Sequence, residues 1–346
     1  MKKKVSIHDI ARHLGVSATT VSFVLNGKAE EKRISEDLRK RIEDYVKEIG
    51  YRPNLVAKSL RTGQSRLIAM LVEDISDPFF SSICGIVEQR AYKLGYRIFY
   101  ASTENDTEKT RTLIRIFQER QVDGFIIAPP PGIEDDIKAL EEENIPVILF
   151  DRYFPGFATN NVLIDNFGGA YEAVRHLQER GYGQVGFVTL TSEQSQMQDR
   201  LGGYLKAVKE QGTTKCVLKI PFHQDNAKAV EKIRAYLQKH PELDGILFAT
   251  NYLAVSGLEA IGSLDRKIPD ELGIIGFDDN THFNLFSPSI TAVAQPIPEI
   301  AEGVLQMLLK CLEQGKKGIL KKETVVLPTR LVVRKSCTEK HKTAAV

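Results

Sequence analysis

Ser6 to Gly27 reads SIHDIARHLGVSATTVSFVLNG, and the fold of the chain's first segment follows from it. Ser6 has the acceptor oxygen that caps a helix start, and Asp9, three residues on, completes a capping box. Ile7, Ile10, Ala11 and Leu14 then fall on one helical face. Gly15 ends this helix, because a left-handed backbone costs glycine little. Ser17 caps a second helix with Val16, Val21, Val24 and Leu25 inside, and Asn26-Gly27-Lys28 stops it.

Neither helix is long enough to bury a core alone, so a third element is needed. Ser35 caps it, Glu36 and Asp37 occupy its first turn, and Leu38, Ile42, Tyr45 and Ile49 form its apolar stripe. Gly50 and Pro53 close it. Two short helices around a glycine turn, braced by a third, form a helix-turn-helix unit. Residues 1–66 hold fifteen Lys and Arg against eight Asp and Glu, net +7, whereas the remaining 280 residues hold 32 against 37, net −5. A basic head on a mildly acidic body points to a polyanion partner for the head alone. The second helix presents Ala18, Thr19, Ser22 and Phe23, mostly short groups suited to a DNA major groove, and its N-terminal N–H groups can meet a phosphate.

From residue 66 the pattern changes. Apolar runs such as LIAMLV, DGFIIAP, PVILFD, QVGFVTL, DGILFAT and GIIGFDD alternate with helical stretches. Strands that are apolar throughout are buried on both faces, and repeated β-α units build doubly wound parallel sheets. About ten strands exceed one small sheet, so two similar subdomains are expected, with TAVAQP and TVVLPTRLVVRKS crossing between them. Ligands in such folds sit beyond the carboxyl ends of the strands, between the lobes. The residues at those ends are Phe79 and Phe80, Asp151 and Arg152, Asp165, Arg200, Phe222, Asn251, and Asp278. Carboxylate, amide and guanidinium groups over an aromatic floor suit a small polyhydroxylated molecule. Each also has a plainer role open to it, such as capping a helix for Asp165 and Asp278 or filling the core for Phe80.

Other chemistries find less support. The chain has no HExxH, GxSxG or GxxxxGK[ST], and its seven histidines are dispersed. The four cysteines lack a CxxC pair, which fits a reducing compartment and argues against a zinc site. MKKK is followed by no apolar run of the signal-peptide kind, and no stretch nears the roughly 20 apolar residues of a membrane span. An enzyme, an exported binding protein and a ligand-blind architectural protein are therefore the weaker readings, and the cytoplasm is the expected location.

SIHDIARHLGVSATTVSFVLNG, ISEDLRKRIEDYVKEIGYRPN and LVAKSLRTGQS, in this order, resemble the DNA-binding head and hinge of the lactose-repressor/galactose-repressor family. The resemblance implies a head at 1–53, a hinge at 54–65, and a periplasmic-binding-protein-like core at 66–340. One subdomain of that core takes 66–164 with 295–326, the other 165–294 with 327–340, and 341–346 is a tail. By position, Ala18 and Thr19 would face base edges, Ser17, Thr20, Ser22 and Asn26 would hold phosphates or the turn, and Tyr51 and Asn54 would anchor the backbone. Ala57, Leu60 and Arg61 fall in the hinge, with Leu60 at the position that wedges into the minor groove. Phe23 departs from relatives that read guanine with an arginine there; phenylalanine can pack on a thymine methyl but makes no bidentate contact. Tyr252 departs from the Asn-Asp that many relatives carry, which leaves the effector's identity open. The family further implies a homodimer on a pseudo-palindromic operator, no cofactor and no catalysis. The effector would be a sugar or sugar derivative, with a purine or nucleoside as the alternative. TEKHKTAAV has no heptads, so no tetramer is expected through a C-terminal helix.

Overall fold

The computed structural model describes residues 5–51, 63–222, 224–314 and 322–340. The chain divides into two units, Met1–Ser65 and Arg66–Val346.

In the first unit α1 (Ile7–Leu14), α2 (Ala18–Leu25) and α3 (Glu36–Glu48) follow the capping residues closely. Ser6 and Asp9 form the reciprocal capping box, and Gly15 turns at φ 68°. Ser17 and Ser35 accept from Thr20 N and Leu38 N. Ile10, Ala11, Val21, Val24, Ala29 and Ile42 form the core, with Leu14, Leu38 and Tyr45 packed partly against it. Ala29, after the second helix, is a core residue that helical periodicity did not reveal.

The second unit holds two six-stranded sheets of matching order. The strands are β1 (Leu67–Val72), β2 (Arg97–Ser102), β3 (Gly124–Ile127), β4 (Val147–Phe150), β5 (Asn160–Ile164), β6 (Val185–Thr191), β7 (Cys216–Pro221), β8 (Gly245–Phe248), β9 (Gly273–Phe277), β10 (Thr291–Ala294), β11 (Thr324–Leu327) and β12 (Arg330–Val332). The first sheet runs β2-β1-β3-β4-β5-β11 and is wholly parallel; the second runs β7-β6-β8-β9-β10-β12 with only β12 antiparallel. The central strands are buried on both faces, which is why they read as unbroken apolar runs.

The intervening helices are α4 (Pro78–Lys93), α5 (Thr107–Glu119), α6 (Glu134–Glu142), α7 (Asn166–Glu179), α8 (Ser195–Gln211), α9 (Asn226–Lys239), α10 (Asn251–Gly262) and α11 (Ile297–Gln314). The chain passes between the sheets three times, after β5, after β10 and between β11 and β12. α11 returns to pack on α4 and the first sheet. α7 and α8 cross very closely at Gly203, where an added Cβ would lie 2.2 Å from the Phe167 carbonyl oxygen. This approach holds α8, and with it Arg200, against the start of α7.

Candidate functional site: a charged cleft between two lobes

The carboxyl ends of both sheets bring charged side chains together. Asp151 follows β4 and Asp278 follows β9, the fourth strands of their sheets, and both are left-handed, at φ 68° and 66°. Aspartate tolerates that backbone better than most residues, because its short side chain bonds locally.

Arg200, on α8, is only 2% exposed. Its Nε donates to Asn166 Oδ1 at 2.8 Å, and Nη1 donates to the Ala249 carbonyl at 2.6 Å. Nη1 and Nη2 straddle the Asp278 carboxylate at 3.2 and 3.3 Å. The guanidinium also lies 3.6 Å from the centre of the Phe277 ring, a cation–π stack that fixes its plane. Gln295 Nε2 donates to Asp278 Oδ1 at 2.5 Å from the crossover after β10. The neighbouring Asp279 pairs with Arg334 through two bonds of 2.9 and 2.8 Å.

Arg152, 3% exposed, gathers the first lobe's charges. It donates to Glu73, to Asp151 at 3.2 Å, and to Asn105 Oδ1 at 2.9 Å. The same Asn105 oxygen accepts from Gln194 Nε2 of the second lobe at 2.7 Å, and the Tyr153 amide donates to Ser195 Oγ at 2.9 Å. Two direct bonds therefore cross between the lobes here.

The carboxylates feel one another. Asp77 caps α4, accepting from Phe79 N at 2.7 Å. Burial pushes its carboxyl up to about 6, helped by the charges of Asp278, Glu73 and Asp151 and opposed by the Phe79 bond. Asp151 is raised by burial, with Arg152 and Arg200 pulling it back. The Tyr252 phenol is held above its ordinary value by desolvation and then by Glu73, with Asp278 and Asp77 adding to it, although the residue as a whole is 41% exposed. Tyr252, from the second lobe, thus shares a field with carboxylates of the first.

The residues expected at the cleft divide into two sets. Asp151, Arg152, Arg200 and Asp278 converge, and Asn251 is buried in the first turn of α10, two residues after the Ala249 carbonyl that Arg200 meets. Phe79 and Phe80 do not present open faces. Both are buried, edge-on to each other at 5.0 Å, and Phe80 meets Phe150 edge-on at 6.1 Å, so they belong to the lobe's core. Phe222 is half-buried against the second lobe's core. Asp165 caps α7, accepting from Gly168 N at 2.7 Å, as its plainer reading had it. It lines a neighbouring open cavity of about 640 Å³ with Tyr153, Phe154, Phe167 and Asp199, which meets the Arg200 network through Asn166 and through the charge of Asp199. Sequence reasoning missed Glu73, Asp77, Asn105, Gln194 and Gln295, loop or helix-end polar residues whose spacing in the chain carries no signal.

In the head, Ser17 and Asn26 are already engaged in their own helix. Ser17 Oγ takes the Thr20 amide at 3.0 Å and meets Thr20 Oγ1 at 2.8 Å, and Asn26 Nδ2 donates to the Ser22 carbonyl at 2.6 Å. Thr19 is exposed, Ala18 and Ser22 are half-exposed, and the Phe23 ring lies outside the core under Lys32 Nζ, 5.6 Å from its centre. Tyr51 packs partly against the head's core. Asn54, Ala57, Leu60 and Arg61 lie outside the described residues.

Among the described residues no group of three or more His, Cys, Asp and Glu could hold a metal, and no helix is long and apolar enough to cross a membrane. Gly181-Tyr182-Gly183-Gln184-Val185-Gly186 has the glycine spacing of a dinucleotide loop. It leaves a helix and enters β6, however, the reverse of the strand–turn–helix order that such a loop requires.

A helix-turn-helix reader joined to a two-lobed core with a charged interlobe cleft defines a class, the ligand-responsive DNA-binding regulators. Comparison with known proteins narrows it. Residues 6–54 match the model of bacterial regulatory proteins of the lacI family, and residues 174–337 match a periplasmic binding protein-like domain. A ribose operon repressor of Halalkalibacterium halodurans is 33% identical over 336 residues, covering 96% of each chain. The chain belongs to the lacI family and is a transcriptional regulator, not an enzyme. Among solved structures, the lac repressor dimer bound to operator and the anti-inducer ONPF has the same fold, with a TM-score of 0.85 at 22% identity over 97% of this chain and all of that one. A lacI-family transcriptional regulator from Enterococcus faecium with bound ribose is 26% identical, with a TM-score of 0.70 over 79% of this chain and 99% of that one.

Proposed function

We propose that this regulator acts in the cytosol as a homodimeric repressor on a pseudo-palindromic operator, and that a small sugar held between its lobes governs its grip on DNA. The observation that carries the sugar site is the buried Arg200–Asp278 pair facing Asp151 and Arg152 across the lobe boundary. Ribose is the first candidate, because it is bound to the Enterococcus faecium regulator and gives its name to the repressor from Halalkalibacterium halodurans. Phe79 and Phe80 are buried and so offer a purine no open face for stacking. The dimer reading is supported by exposed apolar side chains on the core. Tyr92, Leu94, Phe99 and Ile116 lie on the first lobe; Val255, Leu285 and Phe286 lie on the second.

In this reading Ala18, Thr19 and Phe23 of α2 meet base edges, and Ser17 and Asn26 shape the turn. Leu60 and Arg61 act at the operator's centre. The sugar must bind one lobe arrangement better than another, and a difference of about 1–3 kcal/mol suffices for regulation. The Gln194–Asn105 and Tyr153–Ser195 bonds favour the closed arrangement, and a ligand gripping both lobes adds to them.

Operator selection from random duplexes, followed by anisotropy titration with and without ribose, tests the proposal. The expected outcome is a two-fold symmetric consensus and a change in operator affinity of about tenfold or more, within the usual range of allosteric coupling. An asymmetric consensus removes the dimer. An affinity that no sugar or nucleoside alters removes the effector role.

A further inference from the structure

Donors and acceptors are out of balance around the cleft. Four carboxylates, those of Glu73, Asp77, Asp151 and Asp278, are met by two guanidiniums, which bond three of them and leave two negative charges in excess. An arginine offers five N–H groups. Arg200 directs four contacts to Asn166, Ala249 and Asp278, and Arg152 directs three to Asp151, Asn105 and Glu73. Gln295 gives its amide hydrogen to Asp278, and among the described residues its buried Oε1 has no donor. Gln196 Oε1, in the first turn of α8 next to the interlobe contact Ser195, is buried and equally without one, on a side chain 95% buried. Buried acceptors without donors are costly, so these oxygens call for hydrogens from elsewhere. The upward shift of Asp77, driven first by burial and raised further by its carboxylate neighbours, agrees with that balance.

We infer that the cleft selects a non-anionic, donor-rich polyol and turns away the phosphorylated form of the same sugar. The inference rests on the reading of the cleft as the effector site. Each hydroxyl hydrogen supplies what a carboxylate or amide oxygen lacks. A phosphate monoester brings about −1.5 to −2 charges and mostly acceptor oxygens, and it would meet a cluster in which two arginines already bonded to Glu73, Asp151 and Asp278 leave an excess of carboxylate charge.

Titration calorimetry on the full chain at pH 7.5 tests this with two matched pairs, ribose with ribose 5-phosphate and glucose with glucose 6-phosphate. In at least one pair the free sugar saturates the protein and its phosphate binds at least a hundredfold more weakly. Asp77→Asn retains a good helix cap and removes one charge, so it narrows that gap about tenfold; Glu73→Gln, melted to verify folding, serves as the second variant. A phosphate that binds the unaltered protein as tightly as its free sugar overturns the inference and leaves the effector site standing. An unchanged gap in both folded variants removes its electrostatic basis. If neither member of either pair binds, the sugar-site reading fails and the inference with it.

Discussion

The two lobes share a strand order but treat their charges differently. Each fourth strand delivers a left-handed aspartate, Asp151 in one lobe and Asp278 in the other. In the second lobe the charge is settled locally: Asp278 faces Arg200, whose other donors go to Asn166 and Ala249 of the same lobe, and Asp279 is matched by Arg334. In the first lobe Glu73 and Asp151 share Arg152, while Asp77 is pushed up by burial first and by its acidic neighbours after that. The next link from Arg152 is Asn105, which also accepts from Gln194 across the boundary. The second lobe is thus a finished anchor, and the first is completed by what comes to it: the other lobe, a ligand, or protons.

The sharpest way to break this contrast is Arg200→Ala. The substitution strands the Asp278 carboxylate, removes the ring stack on Phe277 and frees the Asn166 and Ala249 acceptors. Removing one member of a buried pair typically costs about 3–5 kcal/mol. Urea denaturation of the variant should show a loss of that order together with loss of any sugar response. A loss below about 1 kcal/mol would mean that the pair is not the anchor of its lobe.

The first lobe's unsettled charge has a pH signature. Asp77 rises from 3.8 to about 6 on folding. The folded state therefore holds this proton more tightly than the unfolded chain does. The associated stability is fully present below about pH 4 and is lost as pH rises through 6. Two units correspond to roughly 3 kcal/mol, reduced to about 2 for partial solvent screening. Asp77→Asn should flatten this component of the stability profile between pH 4 and 7 while keeping the cap to Phe79, since asparagine caps as well as aspartate. A profile unchanged by the substitution would place the excess charge elsewhere.

The head was legible almost to the residue, because serine caps, a glycine turn and 3.6-residue spacing are local signals. The two-lobed core was legible too, since strands covered on both faces leave runs such as LIAMLV that nothing else explains. Of the cleft, the residues that end strands were legible, Asp151, Arg152 and Asp278, and with them Arg200, which lies on α8 beyond β6. Glu73 and Arg152 are 79 positions apart and Asn105 and Gln194 are 89 apart; only the folded sheets bring them together. The aromatic pair lies in the core for a related reason. Phe79 and Phe80 do follow a strand, but the first turn of α4 lies over the sheet, and burial against Phe150 is the more favourable use of a ring there. Asp165 ends a strand and starts a helix, so it caps α7 while also lining the neighbouring cavity.

The smallest expected effect separates the lobes' mutual contact from their internal order. Gln194→Ala deletes the cross-boundary side-chain donor and leaves the Arg152 and Arg200 ion pairs in place. A neutral hydrogen bond contributes about 0.5–1.5 kcal/mol, so unfolding stability should fall by less than about 1 kcal/mol. Because the bond exists only when the lobes meet, its loss should instead tilt the open–closed balance. Sugar affinity then weakens about threefold to tenfold, as the binding-competent fraction shrinks, and the ligand-free protein scatters X-rays as a slightly larger particle. Asn105→Ala removes the acceptor of both Gln194 and Arg152, so it should weaken stability and affinity more than Gln194→Ala does. The difference between the two variants measures how much of Asn105's role lies inside the first lobe. Equal effects would mean that the Arg152 contact is idle and that the lobes communicate through the Gln194 bond alone. An affinity untouched by either change would assign closure to the Tyr153 amide on Ser195, a backbone contact that no side-chain substitution in the first lobe could tune.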